Sequence, residues 1–209
     1  MVEFQYTGVG KGTAVKIALD GSAFNAFAGE IKHSARNGTG IGEWFNGITL
    51  NTFCTEIEQH TSGSWLQFTI SNPGLVTPAN PVAAKTQALA DMFALLQTRR
   101  GTNAFNNDMA AAFQIAVWEI VYDFNAEAGR SSLDITSGRF DARSTNGNPL
   151  AAGISSKVNE FWDAIGGGAR TLDVFGFHNS TAQDQIVPTP GGLALGGLGL
   201  IAMGRRRRK

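Results

Sequence analysis

The sequence predicts an α+β domain, a small β-sandwich or barrel followed by a compact helical group, with a short apolar helix at the C-terminus. Three observations carry this. Up to about residue 72 the chain runs in period-two or β-rich stretches separated by Gly, Asn and Ser clusters. From about residue 80 the apolar positions recur at helical spacing. The end of the chain is uncharged and mostly apolar over 191–204, then closes on five basic residues.

The strand-like stretches are 2–6, 13–19, 24–31, 48–57 and 65–70. The first helix is expected to start with Asn80 as N-cap and Pro81 at its first position, with Leu89, Phe93 and Leu96 on one stripe and Arg99, Arg100 and Gly101 as its stop. "NNDMAAAFQIAVWEIVYDF" reads as a second helix. A third is expected to begin at Asn148-Pro149, bury Ile154, Val158, Phe161 or Trp162 and Ile165, and end at Gly166. "RTLDVFGFH" then returns to strand. Strands that mostly precede helices make the class α+β, and no internal repeat is present.

A chain of 209 residues that is 43% hydrophobic, 16% charged and has 26 glycines is long enough for a sizeable core and is not a disordered polyelectrolyte. Its formal net charge of zero conceals an asymmetry. Setting aside the terminal Arg205, Arg206, Arg207, Arg208 and Lys209 leaves 12 basic against 17 acidic residues. A body of that sign excludes nucleic acid as the expected partner.

The tail reads "IVPTPGGLALGGLGLIAMGRRRRK". A helix over 191–204 would span roughly 21 Å, short of the roughly 30 Å hydrocarbon core. It crosses a bilayer only if the arginines snorkel and the membrane thins, with the cations on the cytoplasmic side. The order of short motif, small-residue apolar helix and Arg cluster resembles the PEP-CTERM sorting signal of bacteria, on which an exosortase acts. Val187-Pro188-Thr189-Pro190 stands for its motif, with Thr189 in place of the usual glutamate. The resemblance implies an exported protein, at the cell surface or beyond it and transiently anchored in the membrane through the C-terminal helix. It divides the chain into a body, 1–185, and a sorting tail, 186–209. An exported chain is expected to carry a signal peptide, and none is visible in "MVEFQYTGVGKGTAVKIALDG".

Cys54 is the only cysteine, an odd feature for an exported protein, because an unpaired thiol invites mixed disulfides and oxidation. Gln114 is the second odd residue. It sits among Met109, Phe113, Val117 and Ile120, on or beside the apolar stripe of the second helix. An amide there needs partners or costs on the order of 1 to 3 kcal/mol. The residues sharing its surface are Ala110, Ala111, Val117 and Trp118, mostly small enough for another backbone to approach closely.

Together the two segments resemble the bacterial thioester domain of surface adhesins. That family carries an aromatic-Cys-x-Glu strand and a later helical Gln-x-x-hydrophobic-Trp motif. Phe53-Cys54-Thr55-Glu56 and Phe113-Gln114-Ile115-Ala116-Val117-Trp118 correspond, with Thr55 where an aliphatic residue is usual and Phe113 where threonine is common. The resemblance implies that Cys54 is esterified to the side chain of Gln114 with loss of ammonia. The resulting acyl group is a stored electrophile, opened once by an amine-bearing surface ligand such as a protein lysine; this is covalent adhesion rather than enzyme turnover. Trp118 is the expected lid against water, and Glu56, by period two on the strand face of Cys54, the expected base or amine-orienting group. No cofactor is implied.

Two other readings stand beside this one. An inert, buried Cys54 would leave a structural or matrix protein of an exopolysaccharide-producing bacterium. His60, six residues from Cys54, suggests a Cys-His hydrolase, provided the chain bends back. "TGVGKGT" fails as a phosphate loop, since Gln5 and Gly12 stand where glycine and Ser/Thr are required. His33, His60 and His178 are scattered, and one cysteine supplies no zinc cluster.

Overall fold

The first two expected strands are one. In the computed structural model, which describes residues 1–71, 82–102, 104–167 and 174–188, β1 runs unbroken over Val2–Leu19 and pairs along nearly its whole length with β2, Ser22–Arg36. The ladder bends through register shifts between Tyr6 and Gly8 and between Val9 and Gly12. Gly12 and Gly29 face each other there at φ +156° and +152°, and a Cβ on either would stand 2.3 Å from a carbonyl oxygen of the opposite strand. Only glycine fits this approach. The hairpin turn is Asp20-Gly21, both at positive φ, the pairing that a two-residue turn requires.

The remaining strands are β3 (Thr49–Cys54), β4 (Leu66–Ser71), β5 (Phe140–Arg143), β6 (Val174–His178) and β7 (Gln185–Pro188). All pairings are antiparallel, in the order β2-β3-β7-β6-β4-β1-β5, and the β1–β2 ladder closes the first six strands into a ring. Of the two expected architectures, the barrel forms. β5 is an added strand on the far half of β1.

Each ring strand gives the inside of the barrel at least one apolar side chain: Val2 and Phe4, Ala35, Leu50, Phe68, Phe177 and Val187, closed at one end by Phe45 of a short 3-10 turn, Gly40–Phe45. The opposite faces of the strands, including Val15, Ile17, Ala28, Phe53 and Ile186, pack against three helices, α1 (Val82–Gly101), α2 (Asn107–Tyr122) and α3 (Ala152–Asp163). α2 lies at the centre. Its residues from Met109 to Tyr122 are all buried, as a helix apolar on every side must be. Asn106 caps it by accepting from the Met109 N–H at 2.9 Å. Phe113 anchors it in an aromatic cluster, with ring centroids 4.5 Å from Phe53, 4.7 Å from Phe93 and 5.1 Å from Phe161.

The expected stripes are buried at Leu89, Phe93 and Leu96 on α1 and at Ile154, Val158, Phe161 and Trp162 on α3, whereas the expected Ile165 lies past the end of α3 at Asp163 and is only partly buried. Asn80 and Pro81 lie outside the described residues. The start of α3 differs from expectation. Asn148 and Pro149 are held in the turn after β5, where the Asn148 carbonyl accepts from the Ser144 N–H and the Pro149 carbonyl from the Ser144 hydroxyl, and the helix begins only at Ala152.

β7 runs across the expected boundary at 185/186. Val187 and Pro188, the first half of the expected sorting motif, are sheet residues paired with Phe175 and Val174, and Val187 fills the barrel interior. The folded body therefore reaches Pro188. Thr189, Pro190 and the apolar stretch 191–204 lie outside the described residues, and among the described residues no helix is long and apolar enough to cross a membrane. A chain ending after Pro188 should keep the cooperative thermal unfolding of the full protein, whereas one ending after Asp184 should lose it, because the ring then lacks a strand. Equal unfolding of the two truncations, followed by circular dichroism, would remove β7 from the core.

Candidate functional site

β3 ends at Cys54, and its two sides differ there. On one side β7 continues the ladder, with Cys54 in register with Gln185 and the Thr55 N–H donating to the Asp184 carbonyl at 3.1 Å. On the other side the pairing with β2 stops at Ile31 and Thr52. The peptide groups of Cys54 face this vacated edge. Gln114 of α2 fills it: the Cys54 N–H donates to Gln114 Oε1 at 2.9 Å, and Gln114 Nε2 donates to the Cys54 carbonyl at 2.8 Å. Cys54 is 3% exposed and Gln114 is fully buried. Ala110 and Ala111, one turn earlier, are also fully buried, consistent with the close approach that small residues permit.

The thiol itself meets other amides. Sγ donates to Gln183 Oε1 at 2.9 Å, and Gln185 Nε2 lies 3.6 Å from it. Gln185 Oε1 accepts from the Thr52 hydroxyl at 2.7 Å, and Thr52 Oγ1 lies 3.1 Å from His33 Nδ1. Burial holds the His33 imidazole down at about 4, hence neutral, stacked on Phe4. These residues form an uncharged polar layer over the aromatic interior of the barrel. Burial pushes the Cys54 thiol up to about 12, with a hydrogen bond from Gln185 opposing the shift and the negative charge of Glu56 adding to it. Cys54 is therefore a thiol at neutral pH.

Glu56 lies two residues past the end of β3, so alternation along a strand does not set its direction. Its Oε1 accepts from the Asp184 N–H at 3.3 Å, and its main-chain carbonyl accepts from Gln183 Nε2 at 2.7 Å. Burial, then the charge of Asp184, pushes its carboxyl up to about 7. Asp184 in turn accepts from His178 Nδ1 at 2.8 Å. Trp118 is 1% exposed, one turn beyond Gln114, its ring centroid 6.0 Å from that of Phe140. With Cys54, Tyr6, Phe27, Ile57, Gln59 and Gln183 it lines a cavity of about 250 Å³. His60 lines the same cavity, but the partners of Sγ are glutamines, and a thiol raised to about 12 is the reverse of the activated thiolate a Cys-His pair would make. No cluster of His, Cys, Asp and Glu among the described residues could hold a metal.

Sequence reading missed Gln183, Gln185, Thr52 and His33. A signal was present: "QDQIV" places two amides at alternate positions leading into an apolar run, the pattern of a strand whose polar face needs partners.

No family model and no curated protein matches the chain. Among solved structures it is similar to the N-terminal thioester domain of a surface protein from Clostridium perfringens, in a cysteine-to-alanine mutant. The identity is 11%, the match covers 84% of this chain and 98% of that one, and the TM-score is 0.45. At that distance, function has to be read from Cys54, Gln114 and their neighbours.

The raised carboxyls have a consequence for stability. Glu56 at about 7 and Glu119 at about 8, the latter buried on α2 and accepting from the Asp134 N–H at 2.8 Å, both lie above the ordinary value of 4.5. A folded state that binds these protons more tightly than the unfolded chain is favoured at low pH and loses that advantage as pH rises through about 7 to 8. Between about pH 5 and about pH 8 the urea midpoint should fall, and Glu56→Gln and Glu119→Gln should each flatten that fall while changing little at the acid end.

Proposed function

We propose that this chain is an exported, surface-sorted thioester domain that joins itself covalently to an amine-bearing partner, once per molecule. The supporting observation is the reciprocal pair of hydrogen bonds between the Gln114 carboxamide and the Cys54 peptide group, which holds the would-be acyl carbon against the residue that carries the thiol. Amides resist thiols, so such a step depends on enforced proximity, and proximity of this kind is worth several powers of ten in effective concentration.

In this reading Sγ attacks Gln114 Cδ, and the negative charge of the tetrahedral intermediate develops on Oε1, which already accepts the Cys54 N–H. The carbon–nitrogen bond then breaks, and Nε2 leaves as ammonia together with the thiol proton. Since the thiol is protonated at neutral pH, that proton has to be carried. Glu56, poised near 7 and close enough for its charge to be felt at Cys54, is the group for it. Opening reverses the exchange. A neutral amine attacks the acyl carbon of residue 114, an amide to the partner forms, the carbon–sulfur bond breaks, and sulfur takes up a proton as the thiol. Each opening consumes the bond, so the protein captures rather than turns over.

Attachment at the surface draws on the tail, in which an exosortase would act at or beyond Thr189, because Val187 and Pro188 belong to the sheet. The membrane would hold the chain through 191–204 until that step. The alternative, an inert structural or matrix protein, draws on the same thiol, whose nearest partner is the carboxamide of Gln183 and which stays protonated.

Intact mass separates the two. The thioester makes the protein lighter by one ammonia, Cys54→Ala and Gln114→Ala each abolish the deficit, and denatured protein shows almost no titratable thiol until methylamine is added. Full mass with one free thiol in the untreated wild type would leave the inert reading.

A further inference from the structure

Apolar side chains left in water gather at one end of the barrel. Among the described residues six large apolar side chains are exposed, and four of them, Met1, Ile41, Trp44 and Ile48, lie in or against the 3-10 turn Gly40–Phe45. The Thr39 N–H donates to the Met1 carbonyl at 2.9 Å and the Ile48 N–H to the Phe45 carbonyl at 3.3 Å, so main-chain bonds hold the four around the turn. Gly42 and Phe45 are its buried side, while Ile41 is 50%, Trp44 48% and Ile48 43% exposed on the other. Single exposed apolar residues need no explanation, but a group of them at one place marks a contact surface. Charge is sparse there. Glu43 is the one charged residue of the turn, and Arg36, at the end of β2, is paired with Glu3 at 2.7 Å.

The chain leaves the described fold at this same end. Pro188 pairs with Val174 and Val187 with Phe175, and the Phe175 ring centroid lies 6.4 Å from that of Trp44 and 6.0 Å from that of Phe45. The uncharged stretch 191–204 begins three residues after Pro188, within about 10 Å of the strand end. That stretch favours one partner over the others an apolar surface could have. As a helix it falls roughly 9 Å short of the hydrocarbon core. An apolar face at a bilayer surface sinks roughly 5 to 10 Å into the boundary between headgroups and acyl chains. A barrel end that sinks so far makes up the missing length with side chains of the folded body, and tryptophan is the residue favoured at that depth.

We propose that the end of the barrel bearing Ile41, Trp44 and Ile48 is a membrane-docking surface of the folded body, entering the bilayer interface beside the tail. The docking rests on the tail reaching a bilayer and not on the thioester. It also orients the molecule. β3 starts next to Ile48 and ends at Cys54, about 20 Å along the strand, so the Cys54 end of the barrel is turned away from the membrane. With one unpaired carboxylate and no free cation in or beside the turn, the surface recognises apolar depth rather than headgroup charge, and zwitterionic lipid suffices.

The test mixes the full chain with phosphatidylcholine vesicles whose acyl chains carry bromine near the headgroup, and takes the Trp44 emission as the difference between wild type and Trp44→Phe. The expected result is flotation of the protein with the vesicles, quenching of Trp44 by bromine, no quenching of the buried Trp118 and Trp162, and no loss of Trp44 quenching in about 0.5 M salt. The double variant Ile41→Ser, Ile48→Ser, changed only at exposed positions, should still float by its tail but lose most of the Trp44 quenching, with its thermal unfolding unchanged. Flotation with Trp44 unquenched would overturn the docking surface and leave the anchor, whereas absence of flotation would end the anchor and the surface together. Without lipid, Trp44 should be open to acrylamide. Protection at every protein concentration would give the patch to the tail of the same chain, and protection that grows with concentration would give it to a second copy; either result overturns the membrane as its partner.

Discussion

One side chain occupies a gap in the wall of the barrel. β2 and β3 part company after Ile31 and Thr52, and the next peptide, that of Cys54, would be left with a bare N–H and a bare carbonyl in a dry place. The Gln114 carboxamide mimics a strand at that point, giving one acceptor and one donor. Because all four groups are buried, losing either partner would strand polar atoms rather than return them to water. This pairing also fixes the rotation of α2. A helix turned by one residue would offer Phe113 or Ile115 to the gap, so the aromatic packing of Phe113 on Phe53, Phe93 and Phe161 and the amide pairing of Gln114 depend on the same setting.

Two apolar cores meet at this point. The barrel interior is aromatic around Phe4, Phe68 and Phe177, and the outer core lies between the barrel wall and the helices. The layer of His33, Thr52, Gln185 and Gln183 caps the interior below the thiol, and none of these groups is charged at neutral pH. Charge begins only with Glu56 and its neighbour Asp184. The sulfur therefore has amides for partners, with a carboxyl near enough for its charge to raise the thiol further.

The parts of this arrangement differ in how visible they were in the chain. The strands with alternating patterns were visible, and so was α2, because the run from Met109 to Tyr122 is interrupted only by Gln114 and Glu119 and is too long for a buried strand. Gln114 was visible as an amide surrounded by side chains that offer it no hydrogen bonds. Closure of the barrel was not, since it depends on β1 pairing with β2 on one edge and, at its start, with β4 on the other, and pairing partners carry no local signature. β5 and β7 have four residues each, too few for a period to show, and β7 was further obscured by the Pro-containing motif that follows Ile186. Asn148-Pro149 looked like a helix start because Pro tolerates a first turn, yet Ser144 draws both residues into the turn after β5.

The burial of Cys54 bears on both directions of the proposed chemistry. A thiol held at about 12 is a weak nucleophile, which would slow formation of the bond, but it is an equally poor leaving group as thiolate, so a finished thioester resists opening until a proton is delivered to sulfur. In the proposed thioester, the burial that would exclude water from the acyl carbon would also raise the barrier that water has to cross. A group able both to take and to return a proton near neutral pH relieves this in each direction. Glu56 meets that requirement because two carboxyls, its own and that of Asp184, share a partly dry site and cannot both ionise freely. In the proposed thioester, stability of the bond and readiness to react would then reside in different residues, burial of the sulfur supplying the first and the titrating carboxyl two residues away the second.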